Sequence, residues 1–128
     1  MNWNIIGDSG CDLFELEKSV NGVSYKSVPF FITVEDKQYT DDESLDINAM
    51  MAHMEKSKKA SFTACPSPQL WSDKMVAGEN NICVTVSKNL SGSYQSADIA
   101  SKAFAEEMKI QMPLWLTVVQ QVLLLCLR

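Results

Sequence analysis

The sequence predicts an α/β fold, a partly parallel sheet with flanking helices. Three observations carry this. Strand-like and helix-like segments alternate along the chain. The run 82–86 is apolar on both faces, as a strand covered on both sides is. It ends abruptly at Ser87, and after a short polar loop Ser91-Gly92-Ser93 opens a segment with helical spacing. A buried strand, a tight turn and a helix start in that succession fit a layered parallel architecture.

Each element has its own signal. Residues 3–7 read as a first strand, closed by Asp8-Ser9-Gly10. Asp12 is placed to cap a helical segment to about residue 20, and Asn21-Gly22 is a turn. Residues 25–34 are β-rich, and Glu35-Asp36-Lys37 connects tightly into Gln38-Tyr39-Thr40, which predicts a hairpin. Asp46 is a good N-cap, and Ile47, Met50, Met51 and Met54 recur on one helix face. Ser67 followed by Pro68 starts another helix, with Leu70, Trp71 and Met75 on its apolar side and Gly78 at its end. The helix after 82–86 runs from about 92 to 108 and turns Ala97, Ala100, Phe104 and Met108 inward. The methionines at 50, 51, 54, 75 and 108 read first as core, although Met also suits a flexible apolar ligand.

The bulk properties narrow the function. A chain of 128 residues holds one modest domain with a single core. A net charge of −5 argues against a general nucleic-acid binder. Lys56, Lys58 and Lys59, the one basic cluster, read as a solvated helix end. No signal peptide is evident at residues 1–13, and no span is long and apolar enough to predict a membrane crossing. Cys11, Cys65, Cys83 and Cys126 lack metal-ligand spacing, so reduced thiols in a cytoplasm are expected. His53, the single histidine, is a poor metal candidate and reads as a helix-packing or solvent-facing residue. No cofactor and no metal are expected.

The chemistry concentrates at the predicted turn before the last helix. A helix N-terminus presents unpaired N–H groups and the positive end of a dipole, both of which favour an anion. Ser9, Thr63 and Ser91 each follow a strand-like stretch, so one crevice beyond the strand ends can hold them. On the residues alone Ser91 reads as a plain N-cap and Thr63 as a turn hydroxyl. A serine hydrolase built on Ser91 lacks the nucleophile-elbow glycines, and His53 is in a different helix. A phosphate or nucleotide site lacks the P-loop lysine and glycines.

Several segments together carry a family resemblance. They are Ile5-Ile6-Gly7-Asp8-Ser9-Gly10-Cys11-Asp12-Leu13, Val28-Pro29-Phe30, Gln38-Tyr39-Thr40-Asp41, Phe62-Thr63-Ala64-Cys65-Pro66-Ser67-Pro68, and the stretch 87–97, Ser-Lys-Asn-Leu-Ser-Gly-Ser-Tyr-Gln-Ser-Ala. In this order and spacing the chain resembles the DegV family, whose members look like bacterial fatty-acid-binding proteins. The resemblance implies that the Thr63 and Ser91 hydroxyls contact a fatty-acid carboxylate, with the Gly92 N–H beside them. Ser9, Cys65 and Ser93 are candidate pocket neighbours. Ala64 stands where the family usually has Ser, and Ser93 where it usually has Thr. The implied partners are a long-chain fatty acid and the catalytic subunit of a fatty-acid kinase, to which such carriers present the acid for phosphorylation. The resemblance implies a carrier and not the catalyst.

The resemblance fades near Lys109, so residues 1–110 read as the family's N-terminal domain and 111–128 as an anomalous tail. Family members have here a strand ending in Val-Asp-Ser and then a second domain, and the sequence reads as having neither. Taking the third base of each codon with the first two of the next, Met112-Pro113 gives Ala, and the following residues permit x-Val-Val-Asp-Ser. The expectation is an out-of-frame tail on a truncated DegV-like chain, with a short variant bearing a novel tail as the alternative. A fragment without stable function is a further alternative.

Overall fold

The computed structural model describes residues 2–109 and the backbone of 117–121. Four strands form one parallel sheet in the order β2-β1-β6-β7. They are β1 (Trp3–Asp8), β2 (Val23–Val28), β6 (Asn80–Val86) and β7 (Thr117–Gln121). β1 pairs with β2 on one side and with β6 on the other, both in parallel. The chain direction of sheet growth therefore reverses between β1 and β6, and a crevice opens at the carboxyl ends of those two strands. A second, antiparallel sheet has the order β4-β3-β5, from β3 (Phe31–Val34), β4 (Lys37–Thr40) and β5 (Phe62–Ala64).

Three helices complete the described structure: α1 (Ile47–Lys56), α2 (Pro68–Ser72) and α3 (Ser93–Glu107). Asp46 caps α1 as expected, its carboxylate accepting from the Ala49 N–H at 2.9 Å. Pro68 takes the first position of α2, where its missing N–H costs nothing. α2 and α3 pack together over the sheet, and the core joins Ile6, Val28 and Cys83 to Trp71, Met75, Ala97 and Ala100. Ala97 and Ala100 are small enough to let α3 approach the strands closely, and Phe104 fills the edge of that contact.

Several expectations are corrected. Asp12 does not start a helix: it adopts φ 51°, a left-handed conformation that ends the 3₁₀ turn Ser9–Cys11. The β-rich stretch 25–34 is two strands in two sheets, broken at Pro29-Phe30. Proline cannot donate to a ladder, so the chain leaves the parallel sheet there. α2 ends at Ser72, well before Gly78. The predicted inner face of α1 is only partly covered, since Met50 is buried while Ile47 and Met51 are exposed. Met108 is likewise exposed, and Ile82 and Val84 on the second face of β6 are half-buried. β7 pairs in parallel with β6 from Ile82↔Thr117 to Val86↔Gln121, so a strand occupies the stretch read as lacking one. The remainder of the predicted tail, like Cys126, lies outside the described residues.

The end of the sheet opposite the crevice is tied by a buried amide network. Asn4 and Asn81 are buried neighbours on β1 and β6, and the Asn4 Nδ2 donates to the Asn81 Oδ1 at 2.8 Å. Asn4 also donates to the Lys74 carbonyl and accepts from the Ser24 hydroxyl. Asn81 donates to the Val76 and Glu79 carbonyls and accepts from the Val76 N–H. Every amide atom of the pair is thus used, and the loop after α2 is locked to the sheet. Asn81→Ala leaves several of these groups unpaired and should cost ~2–4 kcal/mol in urea unfolding. Asn80→Ala removes one surface bond to the Asn2 carbonyl and should stay within ~0.5 kcal/mol. Equal effects of the two substitutions would contradict this account.

Candidate functional site

The crevice is built from the carboxyl ends of β1 and β6 on one side and the second sheet on the other. A cleft of about 320 Å³ there is lined by Gly10, Val86, Leu90 and Ser91 from the first side. Phe30, Ile32, Asp41 and Thr63 line it from the second. The lining is largely apolar, with Thr63, Ser91 and Asp41 as its polar groups. Thr63 and Ser91, far apart in sequence, therefore share one cleft. Thr63 stands within the exposed edge strand β5 rather than after a strand of the parallel sheet, which corrects the sequence-based placement.

The turn that presents Ser91 is well defined. The N–H groups of Leu90 and Ser91 both donate to the Ser87 carbonyl, at 2.9 and 3.1 Å. Gly92, and not Ser91, is the residue capping α3. The Ser91 hydroxyl sits one position earlier and accepts from the Ser93 N–H at 3.2 Å. That bond uses an acceptor lone pair of the Ser91 hydroxyl and not its proton. α3 carries no acidic residue in its first turn, so its positive end is not offset there.

The other sequence candidates divide. Gly92 lies at the rim, on an adjoining groove of about 470 Å³ that also takes in Lys88, Tyr94, Gln95 and Asp98. A Cβ there would stand 3.2 Å from the Cys65 Sγ, a tight contact that Cys65 would have to ease. Cys65 is half-buried against this turn. Ser9 and Ser93 do not face the cleft. Ser9 is buried and its hydroxyl accepts from the Phe30 N–H at 3.0 Å. Ser93 is buried and donates to the Asp8 carboxylate at 2.6 Å. Both hydroxyls are consumed in positioning the walls.

His53 packs its helix onto the hairpin. Its Nδ1 lies 2.9 Å from the Tyr39 hydroxyl, and its Nε2 lies 3.8 Å from the Glu35 carboxylate. Among the described residues no group of His, Cys, Asp and Glu is placed to hold a metal ion. No helix among them is long and apolar enough to cross a membrane.

Sequence reading missed three features of the site. Asp8, at the end of β1, is fully buried and supports the turn through Ser93. Gly10 forms part of the cleft floor: a Cβ there would stand 2.5 Å from the Val86 Cγ2 and 3.1 Å from the Asp8 Oδ1. Asp41 enters the cleft from the end of the hairpin. All three lie in the segments that carried the resemblance, which was the available signal. Gly10→Ala forces the stiff, β-branched Val86 to move and should destabilise the chain by ~1–3 kcal/mol in thermal unfolding. An unchanged melting temperature would refute the close packing described for this floor.

The model for uncharacterised proteins of the DegV family matches residues 2–119. A DegV domain-containing protein of Streptococcus pneumoniae is 40% identical over 107 residues, covering 84% of this chain and 38% of that protein. Among solved structures, the S. pneumoniae fatty acid kinase (Fak) B3 protein loaded with linoleic acid superposes with a TM-score of 0.86 at 37% identity. That match covers 94% of this chain and 42% of the other. A DegV family protein of Eubacterium eligens loaded with heptadecanoic acid gives a TM-score of 0.77 at 31% identity, covering 92% and 40%. The chain thus spans about 40% of the length of the relatives it matches. The family match runs from the start of β1 into β7 and contains every residue of the cleft, so the chain belongs to the DegV family.

Proposed function

We propose that this chain supplies one wall of a fatty-acid site and holds the carboxylate at the start of α3. The observation that carries this reading is the convergence of Thr63 and Ser91 on one cleft whose other walls are mainly apolar. A fatty acid needs that arrangement, a few oriented donors at one end and hydrocarbon-compatible surface beyond it. The Ser91 hydroxyl and the Thr63 hydroxyl donate to the head group, and the Gly92 N–H lies beside them at the rim. Phe30, Ile32 and Leu90 offer the apolar surface along which the chain of the acid begins.

Relatives solved with linoleic and heptadecanoic acid bound support the ligand class. The likeness to a fatty acid kinase B protein supports a carrier that presents its ligand to a kinase subunit for phosphorylation. On this reading the chain itself catalyses nothing. His53 is engaged with Tyr39 and Glu35 on the hairpin, away from the cleft lining, so Ser91 has no histidine base beside it. The openness of the site fits a single wall: Thr63, Gly92 and Leu90 are all exposed.

Thr63→Val and Ser91→Ala each remove a hydrogen bond to a charged group, worth roughly 1.5–3 kcal/mol. Each should weaken fatty-acid binding by about ten- to a hundredfold in a displacement titration. Unchanged affinity in both would refute the site. The purified chain should carry long-chain fatty acid, detected by mass spectrometry after extraction, and should not hydrolyse acyl esters. Ester turnover abolished by Ser91→Ala would replace the carrier reading with a hydrolase.

A further inference from the structure

Asp8 stands directly beneath the cleft floor and is fully buried. Its Oδ2 accepts from the Val86 N–H at 2.8 Å and from the Ser93 hydroxyl at 2.6 Å. Its Oδ1 closes no hydrogen bond, although the Gly10 N–H lies near enough to ease its burial. That bare oxygen points toward Gly10, whose backbone lines the cleft. Neither ion pair found among the described residues includes Asp8. Ser93 connects this carboxyl to the head-group turn, since it donates its hydroxyl to Asp8 and its N–H to the Ser91 hydroxyl.

We propose that Asp8 is a positioning residue of the carboxylate site: it fixes the Ser91-Gly92 turn through Ser93 and sets the charge that a ligand head group meets there. The inference rests on the fatty-acid reading above. An ionised Asp8 and a ligand carboxylate would be two anions served by the same helix start, one from below and one from the cleft. Ionised Asp8 therefore opposes the ligand, and neutral Asp8 does not.

The sign follows from burial. Burial raises the Asp8 pKa, against the opposing pull of its bonds from Ser93 and Val86 and of the nearby Gly10 N–H. Ligand affinity then falls as pH rises through that raised value, and binding takes up a proton. The titratable groups facing Asp8 are Cys11 on the 3₁₀ turn and Tyr25 on β2, with Asp12 beyond Cys11. Burial pushes the Cys11 thiol up to about 11 and the Tyr25 phenol up to about 12, so neither ionises near neutrality. β6 and α3 present Val86 and Ser93, which do not titrate, and Asp41 lines the cleft from the hairpin.

The test is displacement of a fluorescent fatty acid from the chain across a pH series that starts near the ordinary aspartate value, about pH 4, and rises to about pH 8. Wild type, Asp8→Asn and Ser93→Ala are compared. Asparagine keeps an acceptor for Val86 and Ser93 but carries no charge. It should bind about three- to tenfold tighter than wild type near the upper end of the range, with the two converging as Asp8 protonates. Ser93→Ala removes a bond that lowers the Asp8 pKa, so it should weaken binding throughout and move the midpoint of the profile upward. Ser93→Thr restores the hydroxyl and should restore both. Superimposable profiles for wild type and Asp8→Asn would overturn the inference alone, provided Thr63→Val or Ser91→Ala still weakens binding. If Asp8→Asn does not fold, an unmoved midpoint in Ser93→Ala overturns it instead. Failure of the wild-type chain to bind at any pH would overturn the fatty-acid reading and this inference together.

Discussion

One buried carboxylate joins the parts of this chain that have to meet. Asp8 ends β1, receives the last N–H of β6 and anchors the first residue of α3. A buried ionisable group without a cation is costly, and two hydrogen bonds to one oxygen offset only part of that cost. The group acts at the switch point, where the sheet's growth reverses and the buried Val86 N–H needs an acceptor. The position of Ser91 follows from it. Ser93 is held by Asp8, the Ser93 N–H holds the Ser91 hydroxyl, and the Ser87 carbonyl closes the turn from the other side.

The two sheets divide the work of making a site. The parallel sheet supplies the helix terminus and the rigid strand ends. The small antiparallel sheet supplies Thr63 and the apolar residues Phe30 and Ile32. The connection between them is Pro29-Phe30, pinned by the Phe30 N–H to the Ser9 hydroxyl. Ser9, a candidate pocket neighbour in the sequence, holds this connection through that bond. Leu90 at the cleft, Phe62 on β5, and Ile47 and Met51 on α1 are exposed. Exposed apolar side chains on this scale are consistent with a chain that spans about 40% of its relatives' length.

Much of the fold was legible because it is written in local signals. Asp46 caps α1, Pro68 begins α2, and Glu35-Asp36 turns the hairpin with Val34 paired to Lys37. The central position of β6 followed from its apolar residues on both faces, and it does lie between two parallel strands. The errors came where local and non-local preferences compete. Asp12 has the side chain of an N-cap, yet it takes the left-handed conformation that ends the turn it follows. Thr117-Val118-Val119-Gln120-Gln121 showed no usable periodicity, because a strand entering at the end of a ladder takes its register from β6 rather than from its own alternation.

The sequence alone determined the alternation of strands and helices and the helix start at residues 91–93, and its resemblance to the DegV family singled out Thr63 and Ser91. Those rest on caps, breakers and motif spacing, which act over a few residues. Only the tertiary structure decided which hydroxyls line the cleft. Ser91 and Ser93 are chemically alike and two residues apart, but α3 begins between them. Ser93 falls on the first buried turn and is used by Asp8, while Ser91 stays outside the helix and faces the cleft. Ser9 is spent in the same way on Phe30. Which side of a helix boundary a side chain falls on, and which buried acceptor waits there, depends on contacts made 85 residues apart in the chain, and no local pattern encodes them.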